Sequence, residues 1–321
     1  MKLSKLRWSV QSLAFVVLLF GGTAGIFLGF FLPTLSCPYV GYMRGGDCFL
    51  LNLQFHLALG GWNVYAGIIK NFLIFSLLVV LAGRFWCGWI CPFGFIQDIL
   101  NTLRVTLDVK SIAFYETVKK NFLPIKWFFL GLSITVPVWI AYPLCAPCML
   151  YDLSMPFCQL CPARYILPLA AGNPEKVSLN FKSAATVVMT SLGLLIASAA
   201  LVGSFLKKRF WCFLCPMGLL LSLYQKISFM RLKKDCAKCT MCEACYLACP
   251  MNIGEVFRER KNADVTYGDC IFCGKCIDAC PENDALGFSF LGKTFFRSSA
   301  DAFFRNHYRI DPGRPAARKK E

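Results

Sequence analysis

Nine of the chain's nineteen cysteines fall between positions 236 and 281, and eight of them obey one spacing rule twice. Cys239, Cys242, Cys245 and Cys249 read C-x2-C-x2-C-x3-C-P, and Cys270, Cys273, Cys276 and Cys280 repeat the pattern. Three thiols at intervals of three can wrap a corner of a cubane cluster, because the short loops turn each sulfur inward. The fourth, set before proline, points away and serves the neighbouring cluster. The spacing therefore predicts one [4Fe–4S] centre on Cys239, Cys242, Cys245 and Cys280, and a second on Cys270, Cys273, Cys276 and Cys249. A zinc knuckle would show paired C-x2-C units without the trailing C-P. Cys236, three residues before Cys239, reads as a spare thiol. Two low-potential clusters side by side mean electron transfer.

Composition says where this pair sits. Of 321 residues, 57% are hydrophobic, and the mean hydropathy is +0.54, too apolar for a soluble protein of this size. Cysteine at this density in a long chain argues for metal ligation before disulfides. The net charge of +16 could mark a nucleic-acid surface, but in a membrane protein Lys and Arg flank the spans, and no nucleic-acid partner is expected. Two histidines, His56 and His307, are too few for a bis-histidine haem pair, and no C-x-x-C-H, P-loop or H-E-x-x-H motif occurs.

Four apolar runs suit transmembrane helices: Trp8 to Pro33, Trp62 to Trp86, Pro124 to Tyr142 and Ser183 to Phe205. The first is too long for a signal peptide and lacks a small-residue cleavage site. Arg84, Arg104, Lys110, Lys119, Lys120 and Lys126 lie between spans two and three, and Lys207, Lys208 and Arg209 follow span four. The intervening loops are poorer in basic residues, which predicts both termini on the cytoplasmic side of the cytoplasmic (inner) membrane. The expected organisation is a mainly α membrane domain over 1–230, a cytoplasmic α+β dicluster domain over 231–290, and a basic, partly disordered tail over 291–321.

The membrane part repeats itself. Span two ends in RFWCGWICPFG (Arg84 to Gly94) and span four in RFWCFLCPMG (Arg209 to Gly218). Two helical hairpins, each followed by a cysteine motif, suggest a pseudo-twofold axis along the membrane normal. Cys87 and Cys91, four apart, share a face if the segment is helical. Across the axis they could meet Cys212 and Cys215 to hold a third [4Fe–4S] cluster. The plainer alternative is packing of small apolar thiols among Trp and Phe. These features together resemble the NapH/MauN-type membrane ferredoxins, which are related to the oxidase accessory protein CcoG and the C-terminal region of NosR. The resemblance rests on Cys87 to Pro92, Cys212 to Pro216 and the two ferredoxin motifs, over about residues 8–290. It implies a multi-pass protein passing electrons from the quinol pool to a partner reductase, or a maturation role.

The remaining cysteines fall in the loops expected outside. These are Cys37 and Cys48, then Cys145, Cys148, Cys158 and Cys161, the last four as two C-x2-C pairs that suit zinc, iron or a cluster. Disulfides are the alternative in an oxidising compartment. A cluster there would make the chain a transmembrane electron wire. Asp47 and His56 are candidate proton acceptors for a quinol. Lys70, inside span two, is expected to snorkel outward. Two function classes emerge: an electron carrier between quinol or an outside donor and a redox partner on the cytoplasmic side, and an assembly factor reducing a metal or disulfide in another enzyme.

Overall fold

The computed structural model describes residues 3–40, 48–59, 62–112, 116–140, 155–177, 179–181, 183–301 and 303–304. The described residues form helices and one small C-terminal sheet. Among the described residues, three helices are long and apolar enough to cross a membrane by length and composition: α1 (Leu3–Phe20), the Asn121–Ile140 part of a longer helix, and a helix over Ala184–Leu206.

The first expected span is not one helix. The chain breaks after α1 at Gly21 and Gly22 and resumes as α2 (Gly22–Phe31). Gly22 has φ +57°, and a Cβ on Gly21 or on Gly25 would overlap the Val17 carbonyl oxygen, so only glycine permits this close return. After α3 (Phe49–Leu59) comes α4 (Trp62–Ala82), the counterpart of the second expected span. It stops at Gly83, φ +56°, short of the cysteine motif that was expected to continue it. The motif itself forms α5 (Phe85–Trp89) and α6 (Pro92–Thr106). Helix α7 (Glu116–Ile140) contains the third candidate span. Two short helices, α8 (Pro156–Leu160) and α9 (Pro162–Ala170), precede α10 (Ala184–Leu206), whose start is fixed by a Ser183–Thr186 capping box. They do not lie flat as a surface loop. Gly193, in mid-α10, is pressed against the Tyr165 hydroxyl and the Gln159 carbonyl, so α8 and α9 reach into the bundle.

The C-terminal unit is a three-stranded antiparallel sheet in the order β1 (Met230–Lys234), β2 (Leu286–Phe290), β3 (Lys293–Arg297). The pairing sets Leu232 opposite Phe288, with a bulge at Gly287/Phe288. Between β1 and β2 run the two cysteine loops and the short helices α12 (Ala244–Ala248), α13 (Glu255–Arg258) and α14 (Lys275–Asp278).

This unit is docked on the bundle. Leu3, 3% exposed, packs into its core, and Gly274, φ +74°, leaves no room for a side chain beside it. The Asp278 carboxylate accepts from the Ser4 N–H at 2.8 Å, satisfying one of the orphan donors at the start of α1. Asp278→Ala is expected to lower stability by about 1 kcal/mol, as loss of a helix cap does; a thermal melt of the detergent-solubilised protein measures it. The start of α1 and the end of α4 thus share one side with the sheet, the latter through Phe229 N–H donating to Val80 O at 2.8 Å.

Candidate iron–sulfur centres

The two ferredoxin loops fold around two cavities. Cys239, Cys242, Cys245 and Cys280 line one of about 380 Å³. Cys249, Cys270, Cys273 and Cys276 line the other, of about 400 Å³, with Cys245 on the wall between them. The trailing cysteine of each loop therefore faces the cavity of the other loop. Met241, Glu243 and Phe272 take φ values of +58°, +60° and +49° as the loops curl inward, a conformation uncommon outside glycine. Burial pushes the Cys270 thiol up to about 12 and the Cys245 thiol up to about 11, so these sulfurs stay protonated until a metal displaces the proton. Cys236 is in neither cavity; its thiol lies 3.6 Å from the Asn262 carbonyl.

The paired RFWC motifs converge at the foot of the bundle. C-x3-C and C-x2-C differ by one residue, and the backbone absorbs it: Phe85–Trp89 makes an α turn, whereas Phe210–Phe213 makes a tighter 3-10 turn. The first motif is not one continuous helix, because Cys91 caps α6 while Cys87 belongs to α5. Cys91 and Cys215 occupy the same place, each the N-cap of a helix with proline at N1: α6, and α11 (Pro216–Leu223). Each is thereby placed at a helix start, where the first backbone N–H groups have no intrahelical partner. Cys87 and Cys212 each lie within electrostatic reach of the other three of the set Cys87, Cys91, Cys212 and Cys215.

Charge is arranged between the two motifs. The Arg209 guanidinium donates to the Cys87 carbonyl (2.7 Å) and to Asp98, and it fills the space a Cβ on Gly94 would need. Arg84 reaches the other way, against Gly218, to the Gly268 carbonyl (2.8 Å) and the Asp269 carboxylate (3.1 Å). Lys126 joins Asp269 at 3.4 Å, and Arg7 joins Asp98 at 3.0 Å. Arg7, Arg84 and Arg209 are all at most 1% exposed, so they do not flank the spans as solvated charges, as their positions in the sequence suggested. Arg84 leaves Nε and Nη2 buried without a partner, a donor surplus that fits an anionic group between the cysteine pairs. Gln97, 1% exposed, holds the second motif: its Oε1 accepts from Trp211 N–H (3.0 Å) and its Nε2 approaches Cys212 Sγ (3.9 Å).

The foot of the bundle touches the ferredoxin unit directly. Trp89 Nε1 donates to the Phe272 carbonyl at 2.7 Å, and Gly88 lies so close to the Ile271 carbonyl that a Cβ would overlap it. Gln225 bridges the same seam, accepting from Arg84 N–H (3.2 Å) and donating to the Cys270 carbonyl (3.1 Å). Asp98, Gln97 and Gln225 were not anticipated. For Gln97 and Asp98 the signal was polarity soon after a cysteine motif: they follow Cys91 by six and seven residues, after the apolar Phe93, Phe95 and Ile96.

Of the loop cysteines, Cys158 and Cys161 are buried with Cys37 and Cys48 around a further cavity of about 330 Å³. Cys145, Cys148 and Asp47 lie outside the described residues, as does most of the basic tail. His56 packs on Phe55 and over Gly67, with Nδ1 buried and unpartnered; Lys70 is exposed on α4. Among the described residues, no three His, Cys, Asp or Glu side chains crowd a single point as one metal ion would require. The cysteines ring cavities instead.

Such an arrangement defines a helical iron–sulfur protein with apolar helices able to span a membrane. Residues 67–109 and 190–235 match the family described as 4Fe-4S binding domain, and 231–281 match the 4Fe-4S dicluster domain. An uncharacterized protein of Methanocaldococcus jannaschii is 27% identical over 70% of this chain and 80% of its own. The methylamine utilization ferredoxin-type protein MauN of Methylorubrum extorquens is 27% identical over 87% and 86%. The ferredoxin-type protein NapH of Escherichia coli is 27% identical over 65% of this chain and 64% of NapH. The chain is similar to ferredoxins of the NapH/MauN type, and iron–sulfur electron transfer is the function these likenesses support. No solved structure matches.

Proposed function

We propose that the chain is a four-span iron–sulfur carrier in the cytoplasmic membrane, relaying electrons between the quinol pool, or an outside donor, and a redox partner on the cytoplasmic side. Cys239, Cys242, Cys245 and Cys280 would hold one [4Fe–4S] cluster, and Cys249, Cys270, Cys273 and Cys276 a second. Cys87, Cys91, Cys212 and Cys215 would hold a third. When bound, each cluster supplies one-electron storage at a potential set by its hydrogen bonds and burial.

The protein's own part is positioning. Arg84 and Arg209 offset the negative charge of a thiolate-ligated centre, and Gln97 orients Cys212. The observation that carries the reading is the seam at Gly88 and Trp89, where the membrane cysteine turn rests on the Ile271–Cys273 loop without intervening side chains. That seam leaves little distance between the third site and the second.

A quinol analogue mixed anaerobically with the full-length protein tests the proposal. Partial bleaching of the visible cluster absorbance is expected in the wild type, with at least a tenfold slower rate in Cys87→Ser/Cys212→Ser. Equal rates in the two proteins, or no bleaching at all, would count against it.

A further inference from the structure

We propose that Cys37, Cys48, Cys158 and Cys161 form a fourth [4Fe–4S] site, inside the bundle at the end away from the ferredoxin unit. This extends the three-centre reading above and changes the ligand set expected of the loops, replacing Cys145 and Cys148 by Cys37 and Cys48.

Four observations meet here. The first is convergence. Segments far apart in sequence bring four buried cysteines to one apolar cavity, and Cys158 lies within electrostatic reach of the other three. Like the two cavities ringed by the ferredoxin cysteines, this cavity is lined by at least four cysteines.

The second is local architecture. Cys158-Gln-Leu-Cys161-Pro162 repeats Cys212-Phe-Leu-Cys215-Pro216 with a single change. Cys161 is the N-cap of α9 with proline at N1, as Cys215 is for α11 and Cys91 for α6. Cys37 too is followed by proline and a helical turn, Pro38–Val40.

The third is a repeated clamp. Gln54, 0% exposed, accepts from the N–H of Phe157 (3.1 Å) and donates to Cys158 Sγ (3.4 Å). Gln97 makes the same two contacts with Trp211 and Cys212. A carboxamide buried to hold the first cysteine of each C-x2-C-P is a supporting device for a sulfur-ligated centre, since N–H donors to the sulfurs tune such centres. Simple packing of thiols would not need it.

The fourth is continuity. Leu35, two residues before Cys37, packs in the same buried cluster as Cys91. Cys48 is within electrostatic reach of Cys91, and Cys161 of Cys215. The four sites therefore form a row from the ferredoxin unit through the bundle to its far end.

The test counts iron and acid-labile sulfide in the anaerobically purified full-length protein. About sixteen irons per chain are expected, four for each centre. Cys37→Ser, Cys48→Ser, Cys158→Ser and Cys161→Ser should each remove about four, with the EPR signals of the ferredoxin pair retained. Cys145→Ser/Cys148→Ser should remove none. A variant that fails to fold leaves the wild-type count and Gln54→Leu to decide. Gln54→Leu keeps every thiol and should lower the potential of one centre only, the centre absent from the surviving cysteine variants.

About twelve irons in the wild type, unmoved by Cys158→Ser, would overturn this inference and leave the three-centre proposal standing. Disulfides pairing these cysteines in the unreduced protein would overturn it equally. Loss of iron from Cys145→Ser/Cys148→Ser would overturn the ligand set. A count of about eight, unmoved by Cys87→Ser as well, would instead sink the three-centre proposal itself.

Discussion

Asp98→Ala is expected to be the most damaging single change outside the cysteines. Asp98, 4% exposed, faces Arg7 and Arg209, themselves at most 1% exposed. It joins the start of α1, the second RFWC motif and helix α6. Removing the carboxylate leaves two buried guanidiniums without their counter-ion, and breaking a buried pair from one side costs about 3–5 kcal/mol. Arg209 also holds the Cys87 carbonyl, so the cysteine turn should loosen with it. The expected result is a detergent-solubilised protein with a much lower melting temperature that loses the iron assigned to Cys87, Cys91, Cys212 and Cys215 before the ferredoxin iron.

Acid should mimic the mutation only at the extreme. Burial alone would push the Asp98 carboxyl up, but Arg209 and then Arg7 outweigh it and hold it well below the usual carboxylate range. The stability its ionisation contributes is complete above the unfolded value, about 3.9. It declines as pH falls below that and is gone below the folded value. The difference in stability between wild type and Asp98→Asn should therefore be flat from pH 7 to pH 5, which a melt series at those values checks.

Gly88→Val is the second large expectation, and it separates function from stability. Even a Cβ at Gly88 would overlap the Ile271 carbonyl, which is backbone and cannot swing aside. The ferredoxin loop must back away, breaking the 2.7 Å hydrogen bond from Trp89 to Phe272. Overpacking of this kind costs about 1–3 kcal/mol. Cys87, Cys270 and Cys273 border the seam, so iron is counted in parallel, and per iron retained the quinol-dependent bleaching of the ferredoxin clusters should slow at least tenfold. Unchanged bleaching kinetics with the seam displaced would show that the contact is not the route.

What the sequence made legible was chiefly local. Cysteine spacing within each loop is a short-range property, so the triplets around each ferredoxin cavity could be read directly. Apolar runs likewise announced the long helices. The fold departs where distant segments meet. The break at Gly21 and Gly22 lies within an apolar run, and hydropathy does not register a turn. Helices α8 and α9 looked like an exterior loop because they are short and proline-flanked, yet Gly193 gives them a groove in α10. Arg84, Arg209 and Lys126 looked like flanking charges; Asp98 and Asp269, which bury them, are remote in the chain. The meeting of Cys37 and Cys48 with Cys158 and Cys161 is of the same kind, since no spacing rule relates residues more than a hundred positions apart. The matching glutamines, Gln54 and Gln97, could not be paired with their motifs before the helices were placed.

The central claim is that the membrane cysteines hold a redox centre adjacent to the ferredoxin pair. Low-temperature EPR of the fully reduced full-length protein tests it most directly. The expected spectrum carries a magnetic splitting beyond that of the ferredoxin pair, and Cys87→Ser/Cys212→Ser abolishes this splitting while leaving the pair's own signals in place. A fully reduced spectrum that is the same in both proteins would contradict the claim.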